Sequence, residues 1–133
     1  MTERRAVSTP NAPAAIGPYS QAMVAGGFAF TSGQIALDPE SGEMVGTDAG
    51  SQAAQVLDNL EAVLRAAGSS LANAVKVNIY LADMNDFIAV NEVYGARMSS
   101  PAPARATVEV ARLPKDALIE IDMVAVVSDA EPG

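Results

Sequence analysis

Two runs decide the fold class. They are Pro103-Ala104-Arg105-Ala106-Thr107-Val108-Glu109-Val110-Ala111 and, past Leu113-Pro114-Lys115-Asp116, Leu118-Ile119-Glu120-Ile121-Asp122-Met123-Val124-Ala125-Val126-Val127. Both alternate and are rich in β-branched residues, so they read as strands over 105–111 and 118–127. In the second, Ile119, Ile121, Met123, Ala125 and Val127 fall on one side and suit a covered face. Leu118, Glu120, Asp122, Val124 and Val126 fall on the other. In the first, Arg105, Thr107 and Glu109 share a face opposite Val108 and Val110. The segment 113–116 reads as the connection of a hairpin, which would bring Arg105 and Glu120 together.

Upstream, Phe87, Val90, Asn91, Tyr94 and Met98 form a helical stripe, with Asn85 as its expected cap and the proline-rich 99–103 as its end. Before it, Val75, Val77, Ile79 and Leu81 alternate with Lys76, Asn78 and Tyr80 as a strand over 75–81. A longer helix precedes that strand. Its stripe is Ala53, Val56, Leu57, Leu60, Val63, Leu64 and Ala67, with Thr47 or Asp48 to cap it and Gly68 to end it. Gly26-Gly27 between 21–25 and 28–32 signals a two-residue hairpin. Segment 38–47 is a polar loop. Residues 1–15 read as an extended arm, flexible over 1–10, and 128–133 as a flexible tail.

The order strand, strand, helix, strand, helix, strand, strand predicts one α+β domain over 1–133, a sheet with two helices on one face. Val124, Val126 and Leu118 should not remain in water on the other face, so that face is expected to be buried in a homo-oligomer.

Composition narrows the chemistry. The chain has 133 residues, half of them hydrophobic, and neither cysteine nor histidine. Thiolate catalysis, a histidine base and Cys/His zinc sites are therefore excluded. The net charge of −8 disfavours nucleic acid and anionic membranes as partners. No apolar run approaches a membrane span, and no apolar segment succeeds the N-terminal arginines as in a signal peptide. The expected setting is cytoplasmic.

Arg105 and Glu120 carry the strongest chemical signal. A guanidinium fork grips a carboxylate through parallel hydrogen bonds, and a glutamate held ionised beside it can orient or deprotonate water. On pattern alone the pair reads first as a structural ion pair at a sheet end, since such pairs are common. Asn91 is an amide on an apolar stripe, either a satisfied structural group or part of a cleft wall. Thr31-Ser32-Gly33-Gln34 is either a bend or a place of close backbone approach. Tyr19 offers a phenol or a packing ring. Arg112, Lys115 and Glu109 read as surface charges.

Several stretches in order resemble the RidA (YjgF) family of reactive-intermediate deaminases. They are Asn11-Ala12-Pro13-Ala14-Ala15-Ile16-Gly17-Pro18-Tyr19-Ser20, Thr31-Ser32-Gly33-Gln34-Ile35, Asn85-Asp86-Phe87 with Asn91 and Tyr94, and the run from Pro103 through Asp116 with Ile119-Glu120-Ile121. The resemblance spans about 9–127. It implies a chorismate-mutase-like fold that assembles as a homotrimer around a central barrel, with active sites in the clefts between subunits. It implies hydrolysis of 2-imino and enamine acids, such as 2-aminoacrylate, 2-iminopropanoate and 2-iminobutanoate, to 2-oxo acids and ammonia, which protects PLP enzymes. No metal or cofactor is implied. Arg105 would bind the substrate carboxylate, Glu120 would position water, the backbone at Thr107 would help hold the ligand, and Tyr19, Ser32, Gly33 and Asn91 would line the pocket.

Two departures stand out. Thr107 replaces a cysteine common in the family, and the short loop 99–104 lacks an aromatic before Pro103. Two other readings remain. One is a non-catalytic module that binds small carboxylates with a regulatory role. The other is an endoribonuclease or translation inhibitor, opposed by the charge and the missing histidine.

Overall fold

The computed structural model describes residues 3–128. Six strands form one mixed sheet: β1 (Arg5–Val7), β2 (Ala22–Ala25), β3 (Phe28–Thr31), β4 (Ala74–Leu81), β5 (Ala104–Glu109) and β6 (Ile119–Val126). Helix α1 (Ala49–Ala66) lies between β3 and β4 in the chain, and α2 (Phe87–Arg97) between β4 and β5. The sheet order is β1-β2-β3-β6-β4-β5. Only β4 and β5 run parallel.

Helix α1 forms where its stripe requires. Asp48 caps it by accepting from the Ser51 N–H at 2.8 Å, and Gly68 comes just after its end with φ 88°. Ala53, Val56, Leu57, Leu60, Val63 and Leu64 are fully buried, as are Val77, Leu81, Ile119, Ile121 and Ala125 of the sheet. Removing one such leucine side chain costs about 2–5 kcal/mol. At the hairpin, Gly26 and Gly27 have φ 60° and 83°, the geometry of a two-residue turn that matches strand twist.

Four expectations fail, each for a physical reason. First, β5 and β6 are not a hairpin, because β4 lies between them. The parallel β4–β5 pairing is made across α2, and turn chemistry at 113–116 cannot reveal it. Second, part of the arm expected to be flexible is strand β1, paired with β2. Buried Gln21 then fastens the segment after β1: its side-chain oxygen accepts from the Thr9 N–H at 2.7 Å, and its amide donates to the Pro13 carbonyl at 2.8 Å. Third, Val75 is turned outward, since a register shift between Ala74 and Lys76 gives its inner place to Ala74. Fourth, Asn85 caps nothing. Asp83 accepts the Asn85 N–H at 2.9 Å and starts a one-turn 3-10 helix that leads into α2. The expected tail lies outside the described residues from 129 onward.

Both helices lie on one face of the sheet. On the other, Phe28, Phe30, Val108 and Val126 remain 39–46% exposed. An apolar surface of this kind marks an interaction site.

Candidate active site

The site residues separate into two groups on opposite faces of the sheet. Arg105 is registered with Val77 and Thr107 with Ile79, both core residues, so both side chains leave β5 on the helix-covered face. There α2 meets Arg105. The guanidinium donates to the Asn91 side-chain oxygen at 2.7 Å and stacks over the rings of Phe87 and Tyr94, 5.6 and 5.0 Å from their centroids. Asn91 is therefore not a buried stripe amide. It is exposed at the helix edge, where it orients the arginine.

No carboxylate bridges Arg105 among the described residues. The structural Arg105–Glu120 ion pair is thus ruled out within the chain, and donors of the guanidinium are left for an incoming anion. The hydroxyls of Thr107 and Tyr94 are buried beside this group without a partner among the described residues. An unmet buried hydroxyl costs about 1–3 kcal/mol, a cost that a ligand oxygen would relieve. Burial pushes the Tyr94 phenol above its ordinary pKa, against a smaller opposing effect of the Arg105 charge. At neutral pH it is therefore a donor.

Glu120 leaves β6 on the open face, registered with Tyr80. It lines a cavity of about 610 Å³ together with Tyr19, Ser32 and Gly33. The Ser32 hydroxyl donates to the Ser20 carbonyl at 2.6 Å, and a Gln34–Ile121 bridge holds the adjoining backbone against β6. Gly33 permits this approach, since a methyl group there would overlap the Glu120 carboxylate.

Expected to stay ionised beside a cation, Glu120 instead has its pKa raised, first by burial and second by the negative charge of Asp122. Asp122 is itself held by the Asn78 amide at 2.8 Å and the Tyr80 hydroxyl at 3.0 Å. A half-buried carboxyl whose pKa is raised in this way is a candidate acid–base group.

Two buried amides of α1 that hold backbone near the site, Leu37 of the cavity wall and Leu118 two residues before Glu120, are not evident from pattern. Asn59 of α1 donates to the Leu37 carbonyl at 2.9 Å, and Gln52 accepts the Leu118 N–H at 2.9 Å. Their signal in the sequence is an amide beside each turn of an otherwise apolar stripe. Among the described residues no His, Cys, Asp and Glu group is arranged to hold a metal, and no helix is long and apolar enough to cross a membrane.

The family model described as endoribonuclease L-PSP matches residues 9–127. The chain belongs to this L-PSP (RidA/YjgF) family. It is 53% identical over 122 residues to a RutC family protein of Pyrococcus horikoshii, covering 92% of this chain and 97% of that one. It is 48% identical over 123 residues to the human protein named 2-iminobutanoate/2-iminopropanoate deaminase, covering 92% and 90%. The crystal structure of RidA from the Antarctic bacterium Psychrobacter sp. superposes with a TM-score of 0.89 at 44% identity, covering 92% and 99%. In this RidA-family chain the open face carries the glutamate and its cavity, and the helix-covered face carries the arginine cluster.

Proposed function

We propose that the chain hydrolyses reactive 2-imino and enamine acids, 2-iminopropanoate and 2-iminobutanoate among them, to 2-oxo acids and ammonia. The sites form between subunits of a cytoplasmic homotrimer, and their role is to protect PLP enzymes. The observation that carries the reading is the division of the site. Among the described residues neither Arg105 nor Glu120 forms an ion pair, and they leave opposite faces of one sheet. A second copy laid against the exposed apolar face supplies the missing half to each. The similarity to the named human deaminase supports the reaction class.

Arg105 takes the substrate carboxylate in a forked pair of hydrogen bonds and so fixes the imine carbon. Glu120 of the neighbouring copy holds a water on that carbon and accepts a proton as the C–O bond forms and the C=N π pair moves to nitrogen. It returns the proton to that nitrogen, giving the carbinolamine, then takes the proton of the new hydroxyl and passes it to the same nitrogen, so that the C–N bond breaks and ammonia leaves as the carbonyl forms. An enamine enters after protonation at its β-carbon. The electrophile is already activated, so neither histidine nor thiolate is needed.

The test is release of ammonia and 2-oxo acid from 2-iminopropanoate generated in situ, above the uncatalysed rate. A purified chain that binds 2-oxobutanoate without accelerating hydrolysis would favour the non-catalytic carboxylate-binding module.

Glu120 sets the expected pH dependence. Its base form is lost as pH falls through a pKa above the ordinary glutamate value, so the acid limb of kcat/KM should lie above that value. Asp122→Asn removes the second cause of the shift and leaves the larger one, burial. The limb should therefore move part of the way to lower pH, as a pH profile of both proteins would read.

A further inference from the structure

One cation shares the Glu120 cavity. Lys115 lines it, the only basic side chain to do so among the described residues, in a protein of net charge −8. Its backbone is not relaxed. Lys115 and the next residue, Asp116, both sit at φ 55°, a left-handed conformation that aspartate tolerates but that costs a lysine roughly 1–2 kcal/mol. The turn that imposes this is fastened on both sides: the Asp116 N–H donates to the Leu113 carbonyl at 3.1 Å, the Ala117 N–H to the Pro114 carbonyl at 3.0 Å, and Ala117 is buried. Asp116 is taken by Arg112 at 3.3 Å, while Lys115 makes no ion pair among the described residues. A strained lysine that makes no ion pair among the described residues thus lines the cavity, where glycine or asparagine would have met the backbone's demand at lower cost.

We infer that Lys115 is a specificity-determining residue that takes the distal carboxylate of dicarboxylic 2-imino acids, whose α-carboxylate is held by Arg105. The inference rests on the deaminase reading and names part of its substrate range. Lys115 touches the end of the substrate away from the imine, so its effect belongs to the choice between substrates.

The experiment compares kcat/KM for 2-iminosuccinate and 2-iminoglutarate with that for 2-iminopropanoate, in the wild type and in Lys115→Glu and Lys115→Gly. The dicarboxylic-to-monocarboxylic ratio should fall at least tenfold in Lys115→Glu and about threefold to tenfold in Lys115→Gly. The wild-type ratio should also shrink as salt is raised, because the contact is between exposed charges. Lys115→Gly should raise the thermal midpoint, since glycine relieves the left-handed strain. A ratio within twofold of wild type in Lys115→Glu, or a lower midpoint in Lys115→Gly, overturns the assignment. If the wild type accelerates only the monocarboxylic imine, Lys115 loses its role and the deaminase reading stands. If it accelerates neither, the deaminase reading itself fails.

Discussion

Arg105→Ala should lower kcat/KM for 2-iminopropanoate by about a hundred- to ten-thousandfold and leave the fold intact. A hydrogen bond to a charged group contributes about 1.5–3 kcal/mol, and the fork makes two of them. Stability should change little, because Arg105 lies on an edge strand, where its side chain donates to Asn91 and covers two rings. Arg105→Lys should recover only a small part of the loss, since an ammonium keeps the charge without the planar pair of donors. Steady-state kinetics with thermal unfolding of the same samples separates the two effects. A variant that loses activity in proportion to folded protein would assign Arg105 to the fold instead.

Glu120→Gln should lower kcat by about a hundred- to ten-thousandfold with a small change in KM, the scale of losing a positioned acid–base group. The stability effect should have the opposite sign. A carboxyl whose pKa is raised on folding contributes stability below its unfolded pKa, and that contribution is lost as pH rises through the folded pKa. The ionised form of Glu120 is therefore the disfavoured one in the fold, and the neutral amide escapes that cost. The thermal midpoint of Glu120→Gln should match or exceed that of the wild type. Gly33→Ala should impair turnover by the same route, because its methyl group would displace the carboxylate.

Much of the fold is legible in the sequence because it is written in local patterns. The α1 stripe with Asp48 before it and Gly68 after it, the Gly-Gly hairpin and the period of β6 all depend on neighbours close in sequence. Two features are hidden because they depend on distant pairing. The place of β4 between β5 and β6 arises from a parallel contact across α2, so alternation tells which residues share a strand face without telling which strand lies alongside. For that reason Arg105 and Glu120 read as one pair when the sheet sends them to opposite faces. Strand β1 is hidden by its length and its neighbours, three residues beside a Pro- and Ser-containing segment that Gln21 holds from 12 residues away. Lys115 reads as a surface charge because nothing in Leu113-Pro114-Lys115-Asp116 announces a left-handed backbone at two residues with side chains.

The central claim is that one active site takes its arginine and its glutamate from different copies of the chain. Mixing Arg105→Ala with Glu120→Gln after dissociation, then reassembling them, tests it most directly. Each variant alone should be nearly inactive. In mixed rings a site between an Arg105-bearing and a Glu120-bearing subunit regains both groups, so activity should return to roughly a quarter of the wild-type value at equal input, as random assembly in a closed cyclic oligomer requires. Mixed assemblies with no more activity than the separate variants would show that a single chain must supply both residues, and would contradict the account.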